Sequence, residues 1–142
     1  MIGIVVATHA QLGKGLLDAI ALIAGNQPQT KAIGLEHGDG IDEFKEKVFS
    51  SIEEMDTGDG VLCFVDFVGG TPANTMMQYM QDHELHCIVG ANLSMILEAV
   101  MDRDYLSLQE LEKACLKAGQ ESISTIQEIY ERTKQNEDCE EF

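Results

Sequence analysis

His9 and Asp66 each close a run that is otherwise almost wholly apolar: Ile2-Gly3-Ile4-Val5-Val6-Ala7-Thr8 before the histidine, and Val61-Leu62-Cys63-Phe64-Val65 before the aspartate. A carboxylate that accepts the Nδ1 proton of an imidazole fixes its tautomer, leaves Nε2 as a free nucleophile and stabilises the positive charge the ring gains on reaction. Just beyond Asp66 comes Phe67-Val68-Gly69-Gly70-Thr71-Pro72. Its Thr71-Pro72 pair reads as an N-cap followed by proline at the first helical position. The backbone N–H groups of Gly69 and Gly70, that helix N-terminus, the start of the helix after His9 and the Thr71 hydroxyl would together suit an anion. His9 and Asp66 as the reacting pair, with Gly69, Gly70 and Thr71 as the phosphate-binding group, therefore form a candidate site for a phosphoryl group, with no metal and no cofactor required. Singly, each has a plainer explanation: a histidine satisfied by a local hydrogen bond, an aspartate capping the next loop, a glycine pair making a tight turn. The combination is what points to chemistry.

For these residues to meet, the two apolar runs must be neighbouring strands. Runs apolar on both faces fit the interior of a parallel sheet, and in open α/β sheets ligands collect beyond the carboxyl ends of the strands, where the strand order reverses. The rest of the chain supplies the remaining elements. Leu12 to Ala24 carries Leu12, Leu16, Leu17, Ile20 and Ile23 at helical spacing and stops at Gly25-Asn26. Thr30 to Leu35 is a modest strand interrupted by Gly34, followed by the loop Glu36-His37-Gly38-Asp39-Gly40. Ile41 to Met55 is the clearest amphipathic helix, with Ile41, Phe44, Val48, Ile52 and Met55 on one face.

After the Asp56-to-Gly60 turn and the Val61–Val65 strand, a helix is predicted from Pro72 to about Gln81, burying Met76, Met77 and Met80. Leu85 to Val89 is a fourth strand, and Asn92 to about Met101 a helix with Leu93, Ile96, Leu97 and Val100 inward. Strand and helix thus alternate four times, which implies right-handed crossovers and an α/β fold: a mostly parallel open sheet with helices on both faces. Ser107 to about Lys134 reads as helix capped by Ser107 and interrupted at Gly119, although Ser122-Ile123-Ser124-Thr125-Ile126 also fits an added edge strand. Asn136 to Phe142 is acidic, the composition of a disordered tail.

Composition narrows the function. The chain has 142 residues, enough for one domain, and its 25 acidic against 9 basic residues give a net charge of −16, which repels nucleic acid. No apolar run approaches the length of a membrane span, and the first strand lacks the flanks of a secretory signal, so a cytoplasmic protein is expected. The four cysteines, Cys63, Cys87, Cys115 and Cys139, are widely spaced and show neither zinc-site nor disulfide patterning. His37 sits in a loop that could line the same crevice, but reads as a solvated loop residue. His83 and His86 precede the fourth strand, away from the strand ends, and read as surface residues.

Taken together, Ile4-Val5-Val6-Ala7-Thr8-His9, Gly60 to Asp66, Gly69-Gly70-Thr71-Pro72-Ala73-Asn74 and Gly90-Ala91-Asn92-Leu93 with Met95 resemble the mannose-family IIA component of the bacterial phosphoenolpyruvate-dependent sugar phosphotransferase system (mannose/fructose/sorbose type). The resemblance covers about the first 130 residues. It implies a IIA domain over residues 1–134 followed by the tail 135–142, and a homodimer that exchanges a C-terminal edge strand, for which Ser122 to Ile126 is the candidate. It implies that His9 Nε2 accepts a phosphoryl group from phospho-HPr and passes it to a IIB protein, here a separate polypeptide, with membrane components involved only indirectly. Asp66 matches the carboxylate that orients the histidine. Thr71 stands where the family usually has serine and keeps the hydroxyl. Lys14 and the methionines near the crevice are candidates for receiving HPr.

Two other readings fit the same residues. One is the phosphotransfer subunit of a dihydroxyacetone kinase, a related domain with a histidine in the same place, although the Gly69-to-Pro72 loop favours sugar transport. The other is a non-catalytic anion-binding regulatory module. Which sugar is served is not written in this chain, because in such systems the membrane components choose it.

Overall fold

Along β1 (Gly3–His9) successive side chains enter opposite cores: Ile4 and Val6 one, Val5 and Ala7 the other. That is the period-two geometry of a strand covered on both faces. The computed structural model describes the backbone of residues 1–140 and the side chains of residues 1–136. After β1 come α1 (Leu12–Ala24), β2 (Thr30–Leu35), α2 (Ile41–Met55), β3 (Val61–Val65), α3 (Thr71–Tyr79), β4 (His86–Val89), α4 (Leu93–Asp102), α5 (Leu108–Glu121) and α6 (Ile126–Glu140). The four strands form one sheet in the order β2-β1-β3-β4, with every pairing parallel. The chain steps from β1 outward to β2, then returns past β1 to lay down β3, so the order reverses between β1 and β3. This is the expected α/β architecture.

The core on one face joins Ile4, Val6, Leu62, Phe64 and Ile88 to Ile20 of α1, Ile96 and Val100 of α4, and Leu111 and Cys115 of α5. On the other face, Val5, Ala7, Ile33, Cys63 and Val65 meet Phe44, Val48 and Ile52 of α2 and Met76 and Tyr79 of α3. Ser107 caps α5 through a reciprocal capping box with Glu110, and Asn92 caps α4 by accepting from the Met95 N–H. Burial pushes the thiols of Cys63, Cys87 and Cys115 up, those of Cys87 and Cys115 to about 12, as fits residues that pack rather than react. Among the described residues no helix is long and apolar enough to cross a membrane.

Several expectations are corrected. Met76 is buried, but Met77 and Met80 are more than half exposed because they lie on the side of α3 that overhangs the unpaired edge of β4. Leu12, Ile23 and Ile41 also stay exposed at the ends of their helices. The long C-terminal helix is two helices, and the break falls at residues 122–125 rather than at Gly119. Gly119 is buried inside α5 because its missing side chain leaves room for Met95 of α4. Residues 122–126 form no strand in the single chain: 122–125 are a turn and a link, and Ile126 starts α6. Ile126, Ile129 and Tyr130 are exposed. The helix continues to Glu140 through most of the stretch expected as an acidic tail, and residues 141–142 lie outside the described residues.

At the carboxyl end of β1 the chain turns sharply into α1. Ala10 adopts φ +48°, a left-handed conformation that costs an alanine about 1–2 kcal/mol, and its N–H donates to the Leu35 carbonyl at 2.9 Å. Gly34, the interruption in β2, leaves room for the Ala10 carbonyl. Thr8 is fully buried, and its hydroxyl accepts from the Gly13 N–H at 2.8 Å while donating to the His9 carbonyl at 3.1 Å. It substitutes for the cap that Gln11 does not provide. Thr8→Val keeps the shape but orphans a buried N–H, so urea unfolding should show a loss of about 1–3 kcal/mol. Unchanged stability would remove Thr8 from this role.

Candidate functional site

His9 is the last residue of β1, and Ala7 pairs in register with Val65, so Asp66 lies just past the end of the neighbouring strand. Parallel adjacency brings the two side chains together although 57 positions separate them. His9 Nδ1 lies 2.8 Å from Asp66 Oδ2, and the same oxygen accepts from the His9 backbone N–H at 2.9 Å. The other carboxylate oxygen accepts from the Phe67 N–H at 3.1 Å. Asp66 is thereby held at both oxygens, with its side chain only 8% exposed. Burial alone would push its carboxyl up, but the hydrogen bonds from His9 and the charge of the imidazole outweigh that and hold it below its usual 3.8.

An ionised Asp66 accepts only, so the Nδ1 it touches must carry the proton, which leaves the lone pair on Nε2. The His9 side chain is 40% exposed, so the ring is not sealed beneath packed hydrocarbon. Gly70 flanks that edge. A Cβ there would stand 2.6 Å from His9 Cε1 and 3.2 Å from Nε2, so any side chain at position 70 would fill the approach to the nitrogen. Gly69 turns the loop with φ +89°, a conformation open to glycine.

Thr71 is not the N-cap. Gly70 occupies that position, Thr71 opens α3 and Pro72 follows, and no side chain caps the helix. A glycine cap leaves the positive end of α3 unobstructed beside His9, which serves an anion better than a threonine bonded back onto its own helix. α1, on the other flank, also begins without a capping side chain from Gln11. His9, Asp66, Gly69, Gly70 and Thr71 thus converge on one rim of the sheet. His37 is exposed in the loop after β2 and takes no part in the His9–Asp66 pair. His86 is the first residue of β4, not a surface residue before it; its Nδ1 is 2.9 Å from Glu112 of α5, well away from the strand ends. His83 is exposed and stacks on Tyr79. Among the described residues no cluster of three or more His, Cys, Asp or Glu side chains could hold a metal.

One neighbour of His9 was not singled out from the sequence. The Phe67 ring lies 5.1 Å from the imidazole, centroid to centroid, tilted by 31°. The available signal was an aromatic residue directly after the strand-end carboxylate and before two glycines.

Comparison with known proteins places the chain in a family. Residues 3–116 match the family model described as PTS system fructose IIA component. The chain is 27% identical over 143 residues to the PTS system fructose-specific EIIA component of Bacillus subtilis, covering 99% of this chain and 98% of that protein. It is 31% identical over 127 residues to the PTS system mannose-specific EIIAB component of Escherichia coli, spanning 88% of this chain but only 39% of that longer protein. Among solved structures, phosphotransferase system component EIIA from Streptococcus agalactiae superposes with a TM-score of 0.83 at 24% identity, over 89% of this chain and 98% of that one, which shows the shared fold. With its sheet order, its strand-end histidine and a family match across most of its length, the chain belongs to the mannose-type EIIA components of the PTS.

Proposed function

We propose that this protein is a phosphocarrier in which His9 Nε2 accepts a phosphoryl group from phospho-HPr and passes it to a IIB protein or domain, in the cytoplasm and in the service of sugar uptake. The observation that carries the reading is the 2.8 Å contact between Asp66 and Nδ1 of a half-exposed imidazole. In the forward step the Nε2 lone pair attacks phosphorus, and the phosphorus–nitrogen bond of the donor phosphohistidine breaks with its electron pair returning to the donor ring. His9 keeps its Nδ1 proton, and Asp66 offsets the positive charge now spread over the imidazole. The equatorial oxygens take their donors from the glycine loop, the Thr71 hydroxyl and the first turn of α3. Such a transfer needs alignment and charge stabilisation more than covalent assistance. Both ends of it are phosphoimidazoles, so it runs nearly level in free energy and reverses readily.

The same reading includes a homodimer. Among the described residues the outer edge of β4 is unpaired, and beside it Val68, Met77, Met80 and Val89 line an apolar groove of about 180 Å³. All residues from 121 to 136 are exposed, including Ile123, Ile126 and Tyr130. An exposed strand edge and a detached apolar segment are complementary liabilities, and exchange of residues 122–126 between two copies would cover both. Light scattering should give twice the chain mass, and Ile123→Asp with Ile126→Asp should return the monomer. A monomeric wild type would end this part of the proposal.

His9→Ala should abolish labelling from phosphoenolpyruvate, enzyme I and HPr, whereas Asp66→Asn should remain folded and transfer on the order of 10²-fold more slowly. Label retained by His9→Ala would exclude the site. Because the Asp66 carboxyl is lowered in the folded state, its stabilising contribution is complete above 3.8 and is lost as pH falls through the folded value. The stability gap between wild type and Asp66→Asn, followed by urea unfolding, should therefore persist in mild acid and close only below that pH. A gap that closes by about pH 5 would contradict the assignment.

A further inference from the structure

We infer that Phe67 is a positioning residue for the phosphoryl-accepting imidazole, setting the plane of the ring where Asp66 sets only its Nδ1 corner. The inference rests on the phosphocarrier reading above. A single hydrogen bond at Nδ1 fixes one atom of His9 and leaves the ring free to swing about it. Two further contacts remove that freedom. The Phe67 ring packs on the imidazole with centroids 5.1 Å apart, and Gly70 lies close enough to the ring that a Cβ there would stand 2.6 Å from Cε1. The three groups share one packed corner, since a Cβ at Gly70 would meet His9 Cε1 at 2.6 Å and Phe67 Cε1 at 3.4 Å. With the corner fixed by Asp66 and the plane by Phe67, the Nε2 lone pair has a defined direction before a donor arrives.

Phe67 is poorly placed to be an ordinary core residue. Its side chain is 55% exposed, and its backbone N–H is committed to Asp66 Oδ1. The residue that anchors the carboxylate therefore also carries the ring that packs on the histidine. The aromatic ring has a second effect, on charge. Phosphorylation of Nε2 with Nδ1 still protonated makes the imidazole cationic, and a neighbouring π-system attracts a cation. Because the charge develops during the transfer, this attraction favours the transition state and the phosphorylated ring over the resting one. A bare aliphatic residue at 67 would supply bulk but neither the flat face nor the quadrupole.

The test uses the full chain and ³²P-labelled phospho-HPr in single-turnover labelling, with wild type, Phe67→Leu and Phe67→Tyr. The expected result is a maximal transfer rate about fivefold to tenfold lower in Phe67→Leu, with the half-saturating donor concentration little changed, and near wild-type transfer in Phe67→Tyr. The His9 ring-proton NMR signals should lose a ring-current displacement in Phe67→Leu and keep it in Phe67→Tyr. Equal rates in wild type and Phe67→Leu would overturn the inference, as would a change confined to the half-saturating concentration, which marks Phe67 as a donor contact only. An equal loss in Phe67→Tyr would overturn it too. Failure of the wild type itself to take label would instead refute the phosphocarrier reading.

Discussion

One hydrogen bond, from His9 Nδ1 to Asp66, is the interaction on which the architecture of the site depends. It joins residues at the ends of two strands that are distant in sequence and adjacent only because the chain reverses its strand order between β1 and β3. Both strands are buried on both faces, so neither can slip in register without exposing a core side chain. The register that packs Ala7 against Val65 is the same register that sets the imidazole against the carboxylate. The geometry of the pair is a by-product of core packing, which is why a 2.8 Å contact persists at a rim where one partner is two-fifths exposed.

The site also resolves a conflict in charge. A chain with a net charge of −16 should repel a phosphoryl group. Local groups answer the global field: the start of α3, which no side chain caps, and a glycine turn flank His9, and Asp66 has its charge committed to the imidazole and two backbone N–H groups. The carboxylate's charge is thus presented to the ring, and the helix start of α3 lies on the ring's other side. Strain accompanies the arrangement. Ala10, immediately after the histidine, sits in a left-handed conformation held by its bond to Leu35 and by the space that Gly34 leaves.

The far end of the sheet shows the complementary solution, rigidity without chemistry. Arg103 is buried and donates to the carbonyls of Ile2, Pro28 and Gln29, at 3.2, 2.7 and 3.4 Å, tying the chain entering β1 to the chain entering β2. A guanidinium can satisfy three carbonyls at once where a backbone N–H satisfies one. With the amino-terminal rim locked, the carboxyl-terminal rim can carry loops, glycines and a half-exposed histidine.

Much of this was legible in the sequence, because it depends on local composition. Apolar runs closed by a single polar residue mark β1 and β3, the alternation of elements dictates a parallel sheet, and the Gly-Gly-Thr-Pro loop announces a helix start. Other features were not. Thr71 reads as a cap, but Gly70 takes that place, since a one-residue shift at a helix end is decided by what the loop packs against. Met77 and Met80 lie beside Met76 towards the end of α3 yet stay exposed, because among the described residues no strand follows β4. The segment 122–126, strand-like in composition, pairs with no strand of its own chain among the described residues: 122–125 form a turn and a link, and Ile126 opens α6. The sequence by itself determined which residue types stand at the strand ends and what chemistry they could perform. Only the tertiary structure decided which of them touch, because the meeting of His9 with Asp66, Phe67 and Gly70 requires long-range strand pairing, and no local propensity encodes a partner on another strand.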